Sequence, residues 1–389
     1  MALNHPDTHY REGAADLSIG TGFFRPESRP ARDLSVLLAR WQRGQASTPL
    51  RWLDLMAGCG IRAVRWGLES MGSTSVPVAL HVNDADENRR PLIEANLRRA
   101  GVQARVFAEP AEKLLAQAYL DRCFFDLIDL DAFGAPSALL QPVLQVLRFE
   151  GLLLLASTDG RSPTGHDRPG AIRSLGAAAR VHPASWEMAL RQQLGLLARQ
   201  AWMLGRGLQP VLSFSEGRTF RLAVRLRRQL QRGEEQQLGL IARCDGCGAQ
   251  AVQPLLKLTG WPACHCSTGQ GRWMVSGPLW IGPLQDVSIL GSLQADCTGL
   301  PAASVAPATK RLLQRLQADP GLPAKVWSTA ELSRRVGCGG PPPLPLLVET
   351  LRRHGHHAYA SGVMAGQVRT DAELADLLQT CNALRREGI

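Results

Sequence analysis

The chain has 389 residues, 45% of them hydrophobic and 20% charged, a length that asks for more than one core and a composition ordinary for a globular protein. No stretch approaches the roughly 20 uninterrupted apolar residues of a membrane-spanning helix, and nine cysteines with no basic-then-apolar leader argue against a disulfide framework and for a cytoplasmic protein. The balance of 44 basic against 34 acidic residues, a net charge of +10, fits an anionic partner such as nucleic acid; only four of the cations are Lys, in a chain rich in Ala, Gly and Pro, so a GC-rich genome accounts for the bias equally well.

In chain order, short apolar runs predict strands over 50–55, 78–82, 104–108, 124–130, 152–157, 211–214 and 220–226. Between them, amphipathic patterns predict helices over 87–100, 110–120, 137–147 and 186–204. Strands spaced by helices of this length read as βαβ units in a parallel sheet. The last two strands are joined only by 215–219, too short for a crossover, so they pair as an antiparallel hairpin. A parallel sheet ending in one reversed strand is the Rossmann-like arrangement used by many methyltransferases. Residues 227–237 lack apolar periodicity and read as a linker or exposed loop. Beyond them the chain is rich in Cys, Gly, Pro and Trp, with helical patterns over 308–318, 329–336 and 346–355, the last after the proline run 341–345.

Three segments carry chemistry. In Leu53-Asp-Leu-Met-Ala-Gly-Cys-Gly60, directly after a strand and before a helix, Gly58 and Gly60 let the backbone turn tightly beside a ligand. The third glycine of a dinucleotide fingerprint is replaced by Ala63, and Asp84 follows the next strand, placed to accept hydrogen bonds from ribose hydroxyls. S-adenosylmethionine, with a ribose and no phosphate, suits this two-glycine form. The second segment, Asp129-Leu-Asp-Ala-Phe-Gly-Ala-Pro136, ends a strand at the edge where ligands of open parallel sheets sit. An exocyclic amine on a base is a poor nucleophile, because its lone pair is delocalised into the ring. Asp131 and the carbonyl of residue 132 can accept its N–H groups, and Phe133 can stack on a base drawn out of its helix. The plain alternative is a strand closed by an Asp-containing turn, with Phe133 in the core. The third segment is Cys244-x-x-Cys247 followed by Cys264-x-Cys266, two thiol pairs at the spacing of a structural zinc site. His265 competes as a ligand, and free buried thiols are the alternative.

Taken together, these segments resemble the tRNA (guanine(26)-N2)-dimethyltransferase family. The resemblance rests on Phe23-Phe-Arg-Pro with Arg32-Asp-Leu-Ser35, on Ala57-Gly-Cys-Gly-Ile-Arg-Ala-Val-Arg65, on Asn83-Asp84 and on Asp129-Leu-Asp-Ala-Phe-Gly134. Glu187 and Arg191, and Gly277-Pro-Leu-Trp-Ile-Gly-Pro283, complete it in the family's order. The resemblance implies a class I α/β Rossmann-like methyltransferase domain over residues 1–228 and a smaller α+β, zinc-containing domain over 229–389 that binds tRNA. It implies transfer of methyl groups from S-adenosylmethionine to N2 of a guanine, with Asp131 as catalytic acceptor and Phe24 and Phe133 bracketing the base. The expected cofactor contacts are Arg32, Asp54, Gly58, Gly60, Arg62, Arg65, Asp84, Glu109, Ala111 and Asp129. The expected metal ligands are Cys244, Cys247, Cys264 and Cys266; no obligate protein partner is expected and the chain reads as a monomer. Four places depart from the family pattern: Ala132 for a proline, Arg25 for an asparagine, the poorly matching Glu109–Glu112, and Ala360-Ser-Gly-Val-Met-Ala near the end. The rivals are a methyltransferase of the same fold acting on another RNA, DNA or a protein glutamine, and a decayed tRNA-binding protein.

Overall fold

The computed structural model describes residues 9–71, 76–263, 266, 271–301, 303–337 and 340–386. A hairpin of β1 (His9–Glu12) and β2 (Ala15–Ser18) precedes α1 (Arg29–Gln45), which starts with Pro30 in its first turn. The chain then alternates through β3 (Leu50–Asp54), α2 (Ile61–Glu69), β4 (Val78–Asn83), α3 (Arg90–Arg99), β5 (Ala104–Phe107), α4 (Ala111–Leu120), β6 (Phe125–Asp131), α5 (Ser137–Val146) and β7 (Leu147–Ser157). Two helices, α6 (Arg168–Leu175) and α7 (Ser185–Met203), lead into the hairpin of β8 (Gly207–Glu216) and β9 (Thr219–Arg227).

These strands form one sheet in the order β5-β4-β3-β6-β7-β9-β8. Pairing is parallel from β5 to β7, and β9 runs antiparallel to both its neighbours. The reversed strand therefore lies inside the sheet with β8 at the edge, whereas the sequence reading put it at the end. Successive strands step outward in one direction from β3 and in the other from β6, so a crevice opens between the carboxyl ends of these two, where a ligand fits. Both faces are covered, which explains the continuous apolar runs. Leu53, Ile128 and Leu153 pack under α4, α5 and α7, while Trp52, Leu127 and Leu152 pack under α1.

The second half comprises β10 (Leu238–Cys244), β11 (Gln250–Pro254), β12 (Trp273–Trp280), α8 (Val287–Gly299), α9 (Pro307–Gln317), β13 (Val326–Ser328), α10 (Thr329–Val336), α11 (Leu344–Arg353), β14 (Ala358–Ala360), β15 (Gln367–Thr370) and α12 (Leu374–Arg386). It builds two small antiparallel sheets, β11-β10-β12 and β13-β15-β14. Its helices α8 and α9 fold back onto the first half. Ile289, Leu290, Leu293, Leu312, Leu313 and Leu316 share a core with Leu34 and Leu37 of α1 and with Val211 and Phe214 of β8. Each such side chain contributes about 1.5–3 kcal/mol on burial, so packing crosses residue 228 rather than stopping there. The stretch read as a linker is likewise fixed: Glu234 is buried, and its carboxylate accepts from Trp202 Nε1 at 2.7 Å, the Leu208 amide at 2.7 Å and the Gln231 amide at 3.0 Å.

Beneath this contact lies a buried ionic cluster. Arg369 of β15 donates to Glu187 of α7 at 2.6 and 2.7 Å and to Asp319 at 2.6 and 3.0 Å. Arg191 donates to Glu187 at 2.8 Å and to the carbonyls of Trp280, Gly282 and Gly321 at 3.1, 3.0 and 2.5 Å. The Glu187–Arg191 pair of the sequence motif thus joins the two halves and stands apart from the crevice.

Candidate active site and cysteine cluster

At the crevice the structure opens a cleft of about 410 Å³. Gly58 and Gly60 have φ of 60° and 80°, the left-handed region that an L side chain resists, and this sets the turn from β3 into α2. Gly58 lines the cleft and donates its amide to Asp84 Oδ2 at 2.8 Å; Gly60 caps α2 and does not line it. Asp84 Oδ1 accepts the Asp86 amide at 3.0 Å, so backbone donors orient this carboxylate on the cleft wall. Asn83 ties the strand ends together: its amide nitrogen donates to Leu55 O at 3.1 Å and Glu109 O at 2.9 Å, and its oxygen accepts the Glu109 amide at 3.1 Å.

Those bonds occupy the Glu109 backbone, and its carboxylate pairs with Lys113 at 2.8 Å. Glu109 therefore lies behind the wall, and Pro110, Ala111 and Glu112 form the wall itself. Arg32 lines the cleft, yet its donors are directed to Glu12 at 2.6 and 2.8 Å and to the carbonyls of Arg25 at 3.0 Å and Pro26 at 3.3 Å. It pins the 23–26 segment in place. Arg65, expected at the cofactor, is elsewhere: its donors go to Glu12 and Asp33 at 2.7 Å, to Glu69 at 2.8 Å and to Ser304 O at 2.9 Å, in a cluster away from the cleft.

Arg62 is the central cation of the site. It approaches Asp131 at 2.5 Å and Asp129 at 3.1 Å, with Asp54 the third carboxylate of the group. Asp54 is buried behind the cleft wall, and Asp129 lines a small cavity of about 30 Å³ behind Asp131, so neither faces the main cleft. Burial and then the Asp129 charge push the Asp54 carboxyl up to about 8. Burial also raises Asp129, to about 6, against the pull of Arg62. Asp131 goes the other way: burial raises it, but the Arg62 and Arg221 guanidiniums outweigh that and hold it well below the usual carboxylate range.

Sequence reasoning missed Arg221. It stands near the start of β9, opposite Ala156 at the end of β7, approaches Asp131 at 3.5 Å, and is itself held by Glu216 at 2.7 Å and Ser28 Oγ at 3.4 Å. The signal was present: a charged residue inside the apolar run Phe220-Arg-Leu-Ala-Val224 of a central strand needs a buried partner.

The turn after Asp131 is fixed without a proline. Gly134 donates its amide to Thr158 Oγ1 at 2.6 Å, and its carbonyl accepts from the Thr158 amide and Ser157 Oγ, both at 3.0 Å. Phe133 stands 74% exposed at the mouth. Its partner there is Phe23, 62% exposed and 5.2 Å away edge to face. Phe24, expected in that place, lines the cleft but packs its ring on Tyr10 at 4.8 Å with the Arg32 guanidinium at 4.9 Å. Neighbouring residues of an extended segment point to opposite sides, so only one can reach the mouth.

In the second half, the Cys244, Cys247 and Cys266 sulfurs lie within 4.8 Å of one another, with Cys244 and Cys266 at 3.4 Å. Cys264 and His265 fall outside the described residues. The Gly248 amide donates to the Cys244 carbonyl at 3.0 Å with φ of 75°, curling the 244–248 turn around the sulfurs. A Cβ on Gly246 would stand 2.8 Å from the Cys266 sulfur, so the turn needs glycine there. Four sulfurs about 2.3 Å from a zinc ion lie about 3.8 Å apart, which is the scale of this group.

A model of the family described as N2,N2-dimethylguanosine tRNA methyltransferase matches residues 14–382. A tRNA (guanine(26)-N(2))-dimethyltransferase of Methanosphaerula palustris is 28% identical over 356 residues, 90% of this chain and 89% of its own length. One from Saccharolobus solfataricus is 24% identical over 384 residues, 98% of this chain and 96% of its own. Among solved structures, Trm1 from Pyrococcus horikoshii in complex with S-adenosyl-L-methionine superposes with a TM-score of 0.80 at 22% identity, over 96% of this chain and 99% of that one, which shows a shared fold. With the family model covering the cleft, the sheet and the second half alike, this chain belongs to the N2,N2-dimethylguanosine tRNA methyltransferase family.

Proposed function

We propose that this chain is an S-adenosylmethionine-dependent methyltransferase that methylates the exocyclic N2 of guanine 26 in tRNA. The observation that carries the reading is Asp131, an ionised carboxylate fixed by Arg62 and Arg221, between an inner wall bearing Asp84 and an outer mouth bearing Phe23 and Phe133. S-adenosylmethionine, when bound, supplies a methyl group on a sulfonium sulfur. Asp84 holds its ribose hydroxyls, Gly58 leaves room for it, and Met56, Ala57 and Ala111 give it an apolar wall.

The guanine leaves its stack and enters past the two exposed phenylalanines, whose rings, 5.2 Å apart edge to face, part to admit it. Asp131 and the Ala132 carbonyl accept the two N–H groups of the amine, turning its lone pair inward. With its proton affinity depressed by two guanidiniums, Asp131 is a weak base before reaction. It orients the amine; as the N–C bond forms, the methyl–sulfur bond would break with its electron pair left on sulfur, and the nitrogen, now cationic and strongly acidic, gives its proton to Asp131. A second round at the same nitrogen gives the dimethylated base.

Asp129 lies behind this carboxylate and pairs with Arg62 at 3.1 Å, and Asp54, raised to about 8, is buried beside them as a neutral carboxyl. The second half holds a structural zinc on Cys244, Cys247 and Cys266, with Cys264 as fourth ligand by its spacing, and supplies part of the tRNA-binding surface.

Nucleoside mass spectrometry on unmodified tRNA transcripts tests the assignment. N2-methylated and N2,N2-dimethylated guanosine should appear, and should be lost both from a transcript with adenosine at position 26 and with Asp131→Ala. Asp131→Ala should keep its affinity for S-adenosylmethionine within a few-fold. Methylation by that variant at the native rate, or no methylated guanosine with the native protein, would overturn the reading.

A further inference from the structure

Cations inside the cleft each have a carboxylate partner: Arg32 has Glu12, Arg62 has Asp129 and Asp131, and Arg221 has Asp131 and Glu216. On the rim the pattern reverses. Arg25 lines the cleft, is exposed, and donates to Thr219 Oγ1 at 3.3 Å, which places it against the β8–β9 turn. Arg218, next to Thr219 and also exposed, lies over Gly160: a Cβ built there would stand 3.5 Å from Arg218 Cβ and 3.6 Å from its Cδ. Arg161 follows Gly160 and is exposed as well.

Three chain segments thus bring Arg25, Arg161 and Arg218 near one another, close to Thr158 and Thr219 of the cleft lining. Among the described residues, no carboxylate lies within 4.0 Å of any of the three. An acid stands two residues from each: Asp159 has its Oδ1 occupied by the Arg161 and Ser162 amides at 3.1 and 3.0 Å, Glu216 pairs with Arg221 at 2.7 Å, and Glu27 is exposed and farther than 4.0 Å from Arg25. Gathering like charges without counter-charge costs free energy, and the cost is offset when an anion binds between them.

We propose that Arg25, Arg161 and Arg218 form a clamp for the RNA phosphates that flank the flipped guanine. The proposal rests on the methyltransferase reading above. A base drawn into the cleft leaves its own backbone outside, so the phosphates on either side of it must cross the rim. A planar guanidinium meets a phosphate with two parallel N–H donors, and such contacts set register without reading sequence. The aromatic edges of Phe23 and Phe133 take the base, and the arginines take the strand.

The test is the salt dependence of tRNA binding, measured alongside methylation for the native protein and for R25Q/R161Q/R218Q. Each phosphate contact contributes about 0.7–0.9 to the slope of log affinity against log salt. The triple variant should therefore lose about two to three from that slope and show a raised KM for tRNA. Unchanged affinity for S-adenosylmethionine in the variant checks that the cleft is intact. R228Q serves as control, because Arg228 sits beside Phe149 at the opposite end of the sheet; its slope should match the native one. An unchanged slope in the triple variant while the native protein methylates tRNA overturns the clamp. A reduced slope with no methylation by the native protein keeps the clamp and overturns the proposed reaction. No tRNA binding by the native protein overturns both.

Discussion

Replacing Asp54 by Asn converts a buried carboxyl into its neutral isostere, and the structure says at which pH this should matter. The Asp54 side chain is 1% exposed, and burial with the neighbouring Asp129 charge lifts it to about 8. In the unfolded chain it returns to about 3.9. Between about pH 4 and pH 8 the folded protein therefore holds a proton that the unfolded chain has released. The group's contribution to stability is fully present below pH 4 and is lost as pH rises through 8, at a limiting rate of about 1.4 kcal/mol per pH unit. His81 and His182 are pushed down to about 4, each chiefly by burial, and Asp129 is raised to about 6. These groups vary mainly below about pH 6.5, so the window from pH 6.5 to 8 belongs to Asp54. Integrated across that window, with the folded group half ionised at its upper end, the loss is about 2 kcal/mol. Urea denaturation of Asp54→Asn and native protein at both pH values reads it, with the difference between the two proteins cancelling all groups they share. Relative to native, the variant should gain about 2 kcal/mol on going from pH 6.5 to pH 8. A difference that does not change with pH would show that Asp54 is already ionised, and would refute the reading of a protonated carboxyl buried beside Asp129.

Two further outcomes are expected. Glu187→Gln removes the only acid that Arg191 pairs with among the described residues and one of the two that hold Arg369. It should cost about 3–5 kcal/mol, as when one partner of a buried ion pair is removed, read from the urea midpoint; a loss under about 1 kcal/mol would mean that the cluster relaxes around the change. Native protein dialysed against buffer without added metal should retain one zinc per chain by elemental analysis, and Cys247→Ser should retain far less. A metal-free native protein with freely titrating thiols in the 244–266 segment would remove the zinc site.

The parallel sheet was legible in the sequence because it is written locally. Strand and helix follow from the spacing of apolar residues, and Asp84 and Asp131 fall at strand ends whatever else the chain does. Gly58 and Gly60 are read the same way, since a left-handed turn restricts the residue that occupies it. What stayed hidden depends on which distant partner a side chain meets. Arg62 and Arg65 lie three apart on α2, and their sequence context does not separate them. The rotation of α2 against the sheet sends Arg62 to Asp131 and Arg65 to Glu12, Asp33 and Glu69. Phe23 and Phe24 are adjacent, and only the path of the 23–26 segment, pinned by Arg32, decides which ring stands beside Phe133. Arg221 reaches Asp131 because β9 inserts next to β7, a pairing between segments far apart in the chain. The division near residue 228 failed as a packing boundary for the same reason. An apolar face on β8 and α1 must be covered, and the segments that cover it, α8 and α9, come from beyond that point. The sequence by itself determined which residues carry charge, thiol and ring at strand ends and turns; long-range burial, which no local pattern encodes, decided which of them meet.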